Sequence, residues 1–336
     1  SAPPTAPQIE AQKALRDDRD PRDPLAVEPS RRRVYRLRPP GGDRAGASER
    51  LRAMLDAEQL AAVEGARGRA LVMASAGSGK TRTIVATVAH LVETGVPPEE
   101  ILLVTFTRRA AREMADRAER LAGADLGRMT AGTFHSVCRR LLRRYGPLVG
   151  LPSSFSVLDA EDQAEVAALA RDAVLADRET RPALPRPAAI VSWAALAAEG
   201  GRGIEAVVLD ANPRLGDRIA DIRAIADGYA ERKRAMAAVD YADLLVLTAR
   251  LLDEQPRVRR RLSATHRWVL VDELHDVNPV QARIVEALAA EGSHLIAVAD
   301  PDQSIYSWRG ADPTVVARFA EAPGTRVFPL QSNYRS

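Results

Sequence analysis

The stretch Ala70-Leu71-Val72-Met73-Ala74-Ser75-Ala76-Gly77-Ser78-Gly79-Lys80-Thr81 decides the fold of this chain. Its first four residues form an apolar run, and the apolar residues from Ile84 to Leu91 recur at helical spacing, so the pattern predicts a strand, a loop and a helix. In such a loop, glycines let the backbone approach a polyphosphate and successive N–H groups point at the anion. The lysine reaches the outer phosphates and the threonine hydroxyl ligates Mg²⁺. The sequence therefore predicts a nucleoside triphosphate site at residues 76–81.

An acidic pair at the end of a second apolar run supports the nucleotide interpretation. The loop alone is a moderate signal, because Ala74 stands where the usual pattern has its first glycine. The run Trp268-Val269-Leu270-Val271 is typical of a buried parallel strand, and Asp272-Glu273 follows it. An isolated acidic pair is more often a solvated loop. Beside a phosphate loop, however, it predicts that one carboxylate, which we assign as Asp272, holds the metal through water and that the other orients or deprotonates an attacking water molecule.

The composition is that of a globular chain long enough for more than one core. The 336 residues are 46% hydrophobic, and no apolar run reaches membrane-spanning length. The N-terminus carries charges and prolines where a secretory signal needs apolar residues, so we predict a cytoplasmic protein with no membrane partner. The single cysteine, Cys138, excludes an internal disulfide framework, and its apolar neighbours predict a buried helix position.

The charge balance is compatible with a polyanionic partner but does not establish one. The chain has 48 basic and 45 acidic residues, a net charge of +3 and an isoelectric point near 9.2. The excess of arginine over lysine has two open explanations, function and genomic base composition. Residues 1–47 are rich in proline and mixed charge and include Arg31-Arg32-Arg33, which predicts a disordered basic arm. A solvated tail is a simpler interpretation of this arm than a docking segment.

Strands alternate with helices along the rest of the chain, with one interruption. Apolar runs predict strands at 70–73, 101–105, 129–133, 268–271, 295–299 and 326–330, and helical spacing predicts helices at 109–121, 134–145 and 281–290. This order predicts an α/β fold with a doubly wound parallel sheet and right-handed crossovers. An alanine- and arginine-rich stretch without strong strand signals predicts an inserted, mainly helical subdomain. The expected divisions are an arm at 1–47, a first core at 48–145 and 239–322, a helical insertion at 146–238 and the start of a second core at 323–336.

A set of motifs in chain order gives the sequence a specific resemblance. The motifs are Leu55-Asp56-Ala57-Glu58-Gln59, the phosphate loop, Val104-Thr105-Phe106-Thr107 with Ala110-Ala111-Arg112-Glu113-Met114, Gly132-Thr133-Phe134-His135-Ser136, Asp240-Tyr241-Ala242-Asp243-Leu244-Leu245, the acidic pair, Asp300-Pro301-Asp302-Gln303-Ser304-Ile305-Tyr306-Ser307-Trp308-Arg309-Gly310-Ala311 and Asn333-Tyr334-Arg335-Ser336. They are collinear over residues 51–336 and resemble the motifs of the UvrD/Rep/PcrA branch of superfamily 1 helicases. The resemblance implies a RecA-like P-loop core that uses ATP and Mg²⁺.

The resemblance also implies roles for the residues around the nucleotide. Gln59 would hydrogen-bond the adenine edge, and Arg82 and Tyr334 would sandwich the base. Gln303 would sense the γ-phosphate or position the attacking water. Arg335 would be an arginine finger that stabilises charge on the transferred phosphoryl group when the cleft to a second motor domain closes.

A track for single-stranded DNA is the second implication of the resemblance. The implied DNA-binding residues are Phe106, Thr107, Thr133, His135, Tyr306 and Trp308. Trp308 would stack on a base, while the threonines and the histidine would contact the backbone without reading sequence. Taken without the family, Phe106 and Phe134 are more often core anchors, whereas Trp308 is flanked by polar residues and is expected to be exposed.

Two departures from the family pattern concern the acidic pair and the strand-binding loop. The family usually has an aromatic residue and then glutamine after the acidic pair, whereas this chain has Leu274 and His275. The imidazole keeps hydrogen-bonding capacity but changes the geometry, which affects the expected coupling between ATP and DNA. Arg108-Arg109 replaces a more usual polar-basic pair and adds positive charge.

The resemblance implies the N-terminal motor half of an ATP-dependent translocase or helicase that moves 3′ to 5′ on single-stranded DNA in repair or recombination. Its partners would be single-stranded DNA, junctions of single- and double-stranded DNA, and a C-terminal motor domain that the sequence lacks. An alternative is a DNA-binding scaffold subunit with weakened ATPase, paired with an active motor as in some actinobacterial helicase-nucleases. A small-molecule kinase is a third option, but it explains neither Trp308 nor Arg335.

Overall fold

The computed structural model describes residue 49 and residues 51–176, 183–290, 292–300, 303, 312 and 314–334. Its α-helices are α1 Ala57–Gly65, α2 Lys80–Glu93, α3 Arg108–Ala122, α4 Phe134–Tyr145, α5 Ala160–Leu175, α6 Pro187–Gly200, α7 Ile204–Ala211, α8 Ile219–Ala235, α9 Tyr241–Glu254, α10 Pro256–Thr265, α11 Pro279–Leu288 and α12 Thr314–Glu321. Short 3₁₀ turns lie at Pro98–Glu100, Gly146–Val149, Pro213–Arg218 and Leu274–Asp276. Among the helices of these residues, none combines the length and the apolar content needed to cross a bilayer.

The strands build one large parallel sheet and one small strand pair. They are β1 Arg69–Ala74, β2 Ile101–Thr105, β3 Thr130–Thr133, β4 Ser156–Val157, β5 Ala238–Val239, β6 Trp268–Val271, β7 His294–Ala299 and β8 Thr325–Leu330. The large sheet has the order β3-β2-β6-β7-β1-β8, and every neighbouring pair is parallel. The carboxyl ends of β1, β2, β6 and β7 therefore share one edge, as the predicted α/β fold requires.

Two apolar layers cover the sheet because successive strand residues point to opposite faces. Leu71 packs in a core that includes α4, α9 and α11, whereas its neighbour Ala70 packs in a second core that includes α2 and α3. Helices therefore cover both faces, which confirms the doubly wound arrangement. Cys138 on α4 is 1% exposed, and burial raises the pKa of its thiol to about 12, so the predicted buried helix position is confirmed.

The last strand differs from the expectation that residues 323–336 begin a second core. β8 pairs with β1 along its whole length, from Thr325 beside Arg69 to Leu330 beside Ala74. Without this partner, the backbone N–H and C=O groups of β1 would face solvent on that side. Thr325–Leu330 therefore completes the first sheet and brings the residues after it to the phosphate-loop edge.

The insertion has an apolar core of its own. Helices α5, α6, α7 and α8 contribute Val166, Ile190, Val208 and Ile225 to a cluster separate from the two layers of the sheet. Where the insertion leaves and rejoins the rest of the chain, β4 and β5 form a two-residue parallel pair. The sequence does not predict this pair, because two residues are too short for a readable alternation of apolar and polar positions.

A buried charged cluster connects the insertion to α9. Lys233, near the end of α8, lies 2.6 Å from the carboxylate of Asp243 and also contacts Asp240. The Tyr229 hydroxyl donates a 2.9 Å hydrogen bond to Asp240. Asp240 and Asp243 form a reciprocal capping box at the start of α9. We call these four residues the junction cluster; they include both aspartates of the Asp240–Leu245 motif.

Candidate functional site

The phosphate loop has the backbone geometry that its glycines predict. Gly77 and Gly79 adopt φ angles of +81° and +88°, and α2 begins immediately afterwards at Lys80. A Cβ atom on Gly79 would lie 2.5 Å from the side-chain nitrogen of Gln59. The left-handed backbone therefore favours glycine at position 79, and a side chain there would also displace the Gln59 amide.

Gln59 lies against the phosphate loop and is completely buried. Its amide nitrogen donates a 2.9 Å hydrogen bond to the Ser78 carbonyl, and its amide oxygen accepts from the backbone of Asp56. Both atoms of this amide thus have a partner inside the protein, and the amide keeps a second N–H and a second lone pair. In this conformation the Gln59 side chain hydrogen-bonds the backbone of the phosphate loop.

Lys80 joins the phosphate loop to the ends of two neighbouring strands. Its ammonium lies 2.8 Å from Asp300, which follows β7, and 3.7 Å from Glu273, which follows β6. Gln303 is also within hydrogen-bond distance, at 3.4 Å. The structure thus brings the predicted residues Lys80, Glu273 and Gln303 together. Asp300, not predicted as a site residue, has the same sequence signal as Asp272, a carboxylate immediately after a buried apolar run.

The acidic pair contains two buried oxygens without hydrogen-bond partners among the described residues, Asp272 Oδ1 and Glu273 Oε2. Asp272 is 3% exposed, and its other oxygen accepts a 3.2 Å hydrogen bond from the Thr105 hydroxyl. Burial, followed by the neighbouring Glu273 charge, raises the pKa of Asp272 to about 7. Glu273 has a φ of +53°, an uncommon conformation for a residue with a side chain. Buried carboxylate oxygens without a hydrogen-bond donor are suited to a cation or a water molecule.

The same residues fit a magnesium ion better than a metal held by protein alone. Asp272 offers its unpartnered oxygen, and Thr81 is at the first turn of α2 beside Lys80. Within the described ranges, no group of three or more histidine, cysteine or acidic side chains could hold a metal ion. Magnesium in nucleotide sites is usually held by one or two protein oxygens together with phosphate and water, and Asp272 Oδ1 and the Thr81 hydroxyl are oxygens of this kind.

The stretch after β8 lies across the start of α1 and the phosphate loop. The Tyr334 backbone donates to the Gly77 carbonyl at 3.1 Å, and its hydroxyl donates to Asp56. The Gln331 backbone donates to Glu58 at 2.7 Å. Tyr334 is 53% exposed and Arg82, on the first turn of α2, is also exposed, so both side chains are accessible beside the loop.

The predicted DNA-binding residues within the described ranges follow β2 and β3 at the same edge. Phe134 is buried and its ring lies 5.9 Å from that of Phe106, so Phe134 is a core anchor. Thr107 and Thr133 are the N-cap residues of α3 and α4 and accept backbone hydrogen bonds there. His135 packs edge-on against the half-exposed Tyr241 ring, and burial lowers the pKa of the imidazole. Tyr306, Trp308 and Arg335 lie outside the described residues.

Comparison with known proteins agrees with the resemblance. The UvrD/REP helicase N-terminal domain family matches residues 55–323. The chain belongs to the UvrD/REP helicase family. It is 35% identical over 291 residues to the ATP-dependent DNA helicase PcrA of Bacillus subtilis (strain 168). The matched residues make up 86% of this chain and 38% of that protein. The PcrA of Staphylococcus aureus (strain Mu50 / ATCC 700699) is 33% identical over 285 residues, or 84% of this chain and 38% of the relative. The chain thus spans well under half the length of these relatives.

Proposed function

We propose that this chain is the N-terminal motor domain of an ATP-dependent DNA helicase. The proposal depends mainly on one observation: Lys80 contacts both Glu273 and Asp300 at one edge of the sheet. Two buried carboxylate oxygens of the acidic pair, at the same edge, have no hydrogen-bond partners among the described residues. Both PcrA relatives are described as ATP-dependent DNA helicases, which supports the same activity for a protein that contains this chain.

In the proposed reaction each site residue has a separate task. A lysine ammonium has three donors, so Lys80 can contact Asp300 and still donate to phosphate oxygens. Glu273 accepts a proton from the attacking water as the new bond to the γ-phosphorus forms and the bond to ADP breaks. Gln303 orients that water. Mg²⁺, held by Thr81 and Asp272, would neutralise charge on the phosphate oxygens.

For the nucleotide base we propose Tyr334 and Arg82 as the contacts. Both are accessible beside the phosphate loop, and the backbone of Tyr334 is hydrogen-bonded to Gly77. Gln59 has an indirect role in this proposal, because its buried amide supports the Ser78 carbonyl. Arg335 remains our proposed arginine finger, through the closure of a cleft with a second motor domain.

The strand-binding surface that we propose lies at the N-termini of α3 and α4. Thr107 and Thr133 accept backbone hydrogen bonds with their oxygens and retain a hydroxyl hydrogen to donate to phosphate. Arg108 and Arg109 are exposed on the first turn of α3. Contacts of this kind bind the DNA backbone without reading its sequence. Tyr306 and Trp308 are the proposed stacking residues.

The decisive test is DNA-stimulated ATP hydrolysis by the protein expressed from its complete reading frame. Glu273→Gln should lower the hydrolysis rate at least about a hundredfold while Mg·ATP still binds, because only the proton acceptor is lost. The matched control, Glu321→Gln, neutralises an exposed glutamate on α12 and should leave the rate unchanged. Equal rates in both variants would exclude the proposed site. A wild-type protein that binds ATP without turnover would favour the scaffold alternative.

The proposal also specifies the direction in which the protein moves along single-stranded DNA. We expect movement from 3′ to 5′ and a role in repair or recombination, as the family resemblance implies. Duplexes with a single-stranded 3′ tail should be unwound by the same full-length protein, and duplexes with only a 5′ tail should not. Unwinding from the 5′ tail alone would reverse the proposed direction and leave the ATPase proposal unaffected.

A further inference from the structure

His275 lies between the residues that follow β6 and β7. It contacts the backbone of Asp300, after β7, and faces the side chain of Glu273, after β6. It is 3% exposed and lies in the 3₁₀ turn Leu274–Asp276 that follows the acidic pair. Its Nδ1 accepts a 3.1 Å hydrogen bond from the backbone N–H of Asp300. Its Nε2 lies 3.5 Å from Glu273 Oε2 and 3.8 Å from Asp276 Oδ1. The imidazole therefore lies between the ends of β6 and β7.

The contact with Asp300 fixes which nitrogen of a neutral imidazole carries the proton. An Nδ1 atom that accepts a hydrogen bond has no hydrogen of its own, so the hydrogen is on Nε2. The Nε2 atom that carries this hydrogen lies 3.5 Å from Glu273 Oε2, and the two atoms do not form a hydrogen bond in this structure. The ring thus accepts a hydrogen bond from Asp300 and places a donor nitrogen 3.5 Å from the Glu273 carboxylate.

Glu273 is a residue whose position needs such support. Its backbone is in the left-handed region, with φ +53° and ψ +52°, and its Oε2 has no hydrogen-bond partner among the described residues. The groups facing that oxygen are Lys80 at 3.7 Å and His275 at 3.5 Å. Lys80 has a second task toward the phosphates, whereas His275 is enclosed. Catalytic hydrogen bonds are often long before the substrate is bound and shorten in the complex.

We propose that His275 is a positioning residue that holds the Glu273 carboxylate at a fixed position relative to Asp300. The inference rests on the ATP hydrolysis proposed above and extends it to a position where the family usually has glutamine. It acts through both ring nitrogens: Nδ1 fixes the ring to the end of β7, and the Nε2 hydrogen orients the glutamate that takes the proton from water. Substitution should therefore lower turnover without weakening nucleotide binding.

Two substitutions separate the two nitrogens of the ring. In His275→Asn the side-chain oxygen occupies the region of Nδ1 and can accept from Asp300, but the side chain is too short to reach Glu273. In His275→Gln the amide reaches the region of Nε2 and can donate to Glu273. We expect His275→Asn, like His275→Ala, to lower kcat of DNA-stimulated ATP hydrolysis about 10- to 100-fold. His275→Gln should restore kcat to within about threefold of wild type, and the Kd for Mg·ATP should stay unchanged in all three.

His294 provides the matched control for these variants. Its Nδ1 also accepts a backbone hydrogen bond, from Gly68 at 2.7 Å, but at the opposite end of β7. His294→Ala should leave kcat unchanged, measured in the same full-length protein. Wild-type kcat in His275→Asn, or equal losses of kcat in His275→Asn and His275→Gln, would overturn the positioning role while the ATPase proposal stands. A wild-type protein without any turnover would overturn both proposals.

Discussion

Two regions of this molecule place a buried lysine between two carboxylates, and they differ in what they leave unsatisfied. The chain has only three lysines, at positions 13, 80 and 233, among its 48 basic residues. Lys80 lies between Asp300 and Glu273 in the candidate site, and Lys233 lies in the junction cluster. The two side chains are almost equally buried, at 10% and 8% exposure, so burial alone does not distinguish the two regions.

The junction cluster is closed by its own hydrogen bonds. The Lys233 ammonium contacts Asp240 and Asp243, whose carboxylates also accept the two capping bonds of α9 and the Tyr229 hydroxyl. In the candidate site, by contrast, one oxygen of Asp272 and one of Glu273 lack hydrogen-bond partners among the described residues. Because buried polar groups are normally satisfied, this difference supports our proposal that the junction cluster holds structure and that the candidate site takes a ligand.

The use of lysine in place of arginine has the same physical reason in both regions. An ammonium is a compact charge with three donors that point in different directions, whereas a guanidinium is a planar fork that needs more space and binds in one plane. At the junction three neighbouring side chains surround one nitrogen. At the phosphate loop the amine must reach a ligand as well as Asp300. An arginine-rich composition therefore makes each lysine informative.

The largest expected effect is on stability, from breaking the junction cluster. Lys233→Met keeps a similar volume but leaves the buried Asp240 and the half-buried Asp243 without their cation, so the free energy of unfolding should fall by about 3 kcal/mol. Denaturant unfolding measures this change. Adding Asp240→Asn and Asp243→Asn to Lys233→Met removes the uncompensated charges and should restore part of the loss. A fall below about 1 kcal/mol would mean that the cluster is solvated, contrary to its burial.

The same substitution in the candidate site should act mainly on the ligand. Lys80→Met removes the donor to the phosphates, so hydrolysis should fall at least about a hundredfold. Mg·ATP at about 100 times its Kd should stabilise wild type and Lys233→Met by about 2.7 kcal/mol but should not stabilise Lys80→Met. Thermal unfolding with and without Mg·ATP measures the difference. Equal ligand stabilisation in both lysine variants would remove the distinction between the two clusters.

A smaller effect is expected from one hydrogen bond of the junction cluster. Tyr229→Phe removes the donor to the charged Asp240 carboxylate and should cost about 1.5 kcal/mol of unfolding free energy. Tyr241→Phe is the matched control, since that ring is 49% exposed, and its unfolding free energy should stay within about 0.5 kcal/mol of wild type. The nucleotide affinity should be the same in both variants. A loss as large in Tyr241→Phe would show that the effect is not specific to the cluster.

The sequence predicts the sheet and part of the site for the same reason. Strands such as Ile101–Thr105 and Trp268–Val271 are buried on both faces, so they appear as continuous apolar runs, and the residues after them fall at the ligand edge. Asp272 and Glu273 could be predicted in this way. The contact between Lys80 and Asp300 joins residues 220 positions apart and depends on which strands become neighbours. No local pattern carries that information.

The partner that a residue or strand contacts is harder to predict from the sequence than the strand itself. Gln59 matches a nucleotide-contact motif, and its capping-box position and its hydrogen bond to Ser78 are additional roles that the motif does not reveal. The apolar run predicts a strand at 326–330, but its own residues do not show which sheet the strand joins. Its pairing with β1 depends on an open edge contributed by Arg69–Ala74, far earlier in the chain.

The smallest expected effect tests the contact by which the insertion reaches the turn after the acidic pair. Glu199, on α6, accepts a 2.8 Å hydrogen bond from Asn278, the N-cap residue of α11. Burial raises the pKa of Glu199 from 4.5 to about 7, with a smaller contribution from Asp240, which also belongs to the junction cluster. The folded protein thus retains a proton that the unfolded chain loses, and this group's contribution to stability falls as pH rises from about 4.5 through about 7.

Glu199→Gln keeps the acceptor for Asn278 but has no proton to lose. Wild type should lose about 1 kcal/mol of unfolding free energy between about pH 6 and pH 8 through Glu199, and the variant should lack this loss. Glu165→Gln, at an exposed position of α5, should keep the wild-type slope. If the unfolding free energy of Glu199→Gln changes with pH as steeply as that of Glu165→Gln, Glu199 is ionised throughout this range. Glu199 would then be a solvated charge, unlike the carboxylates around the two lysines.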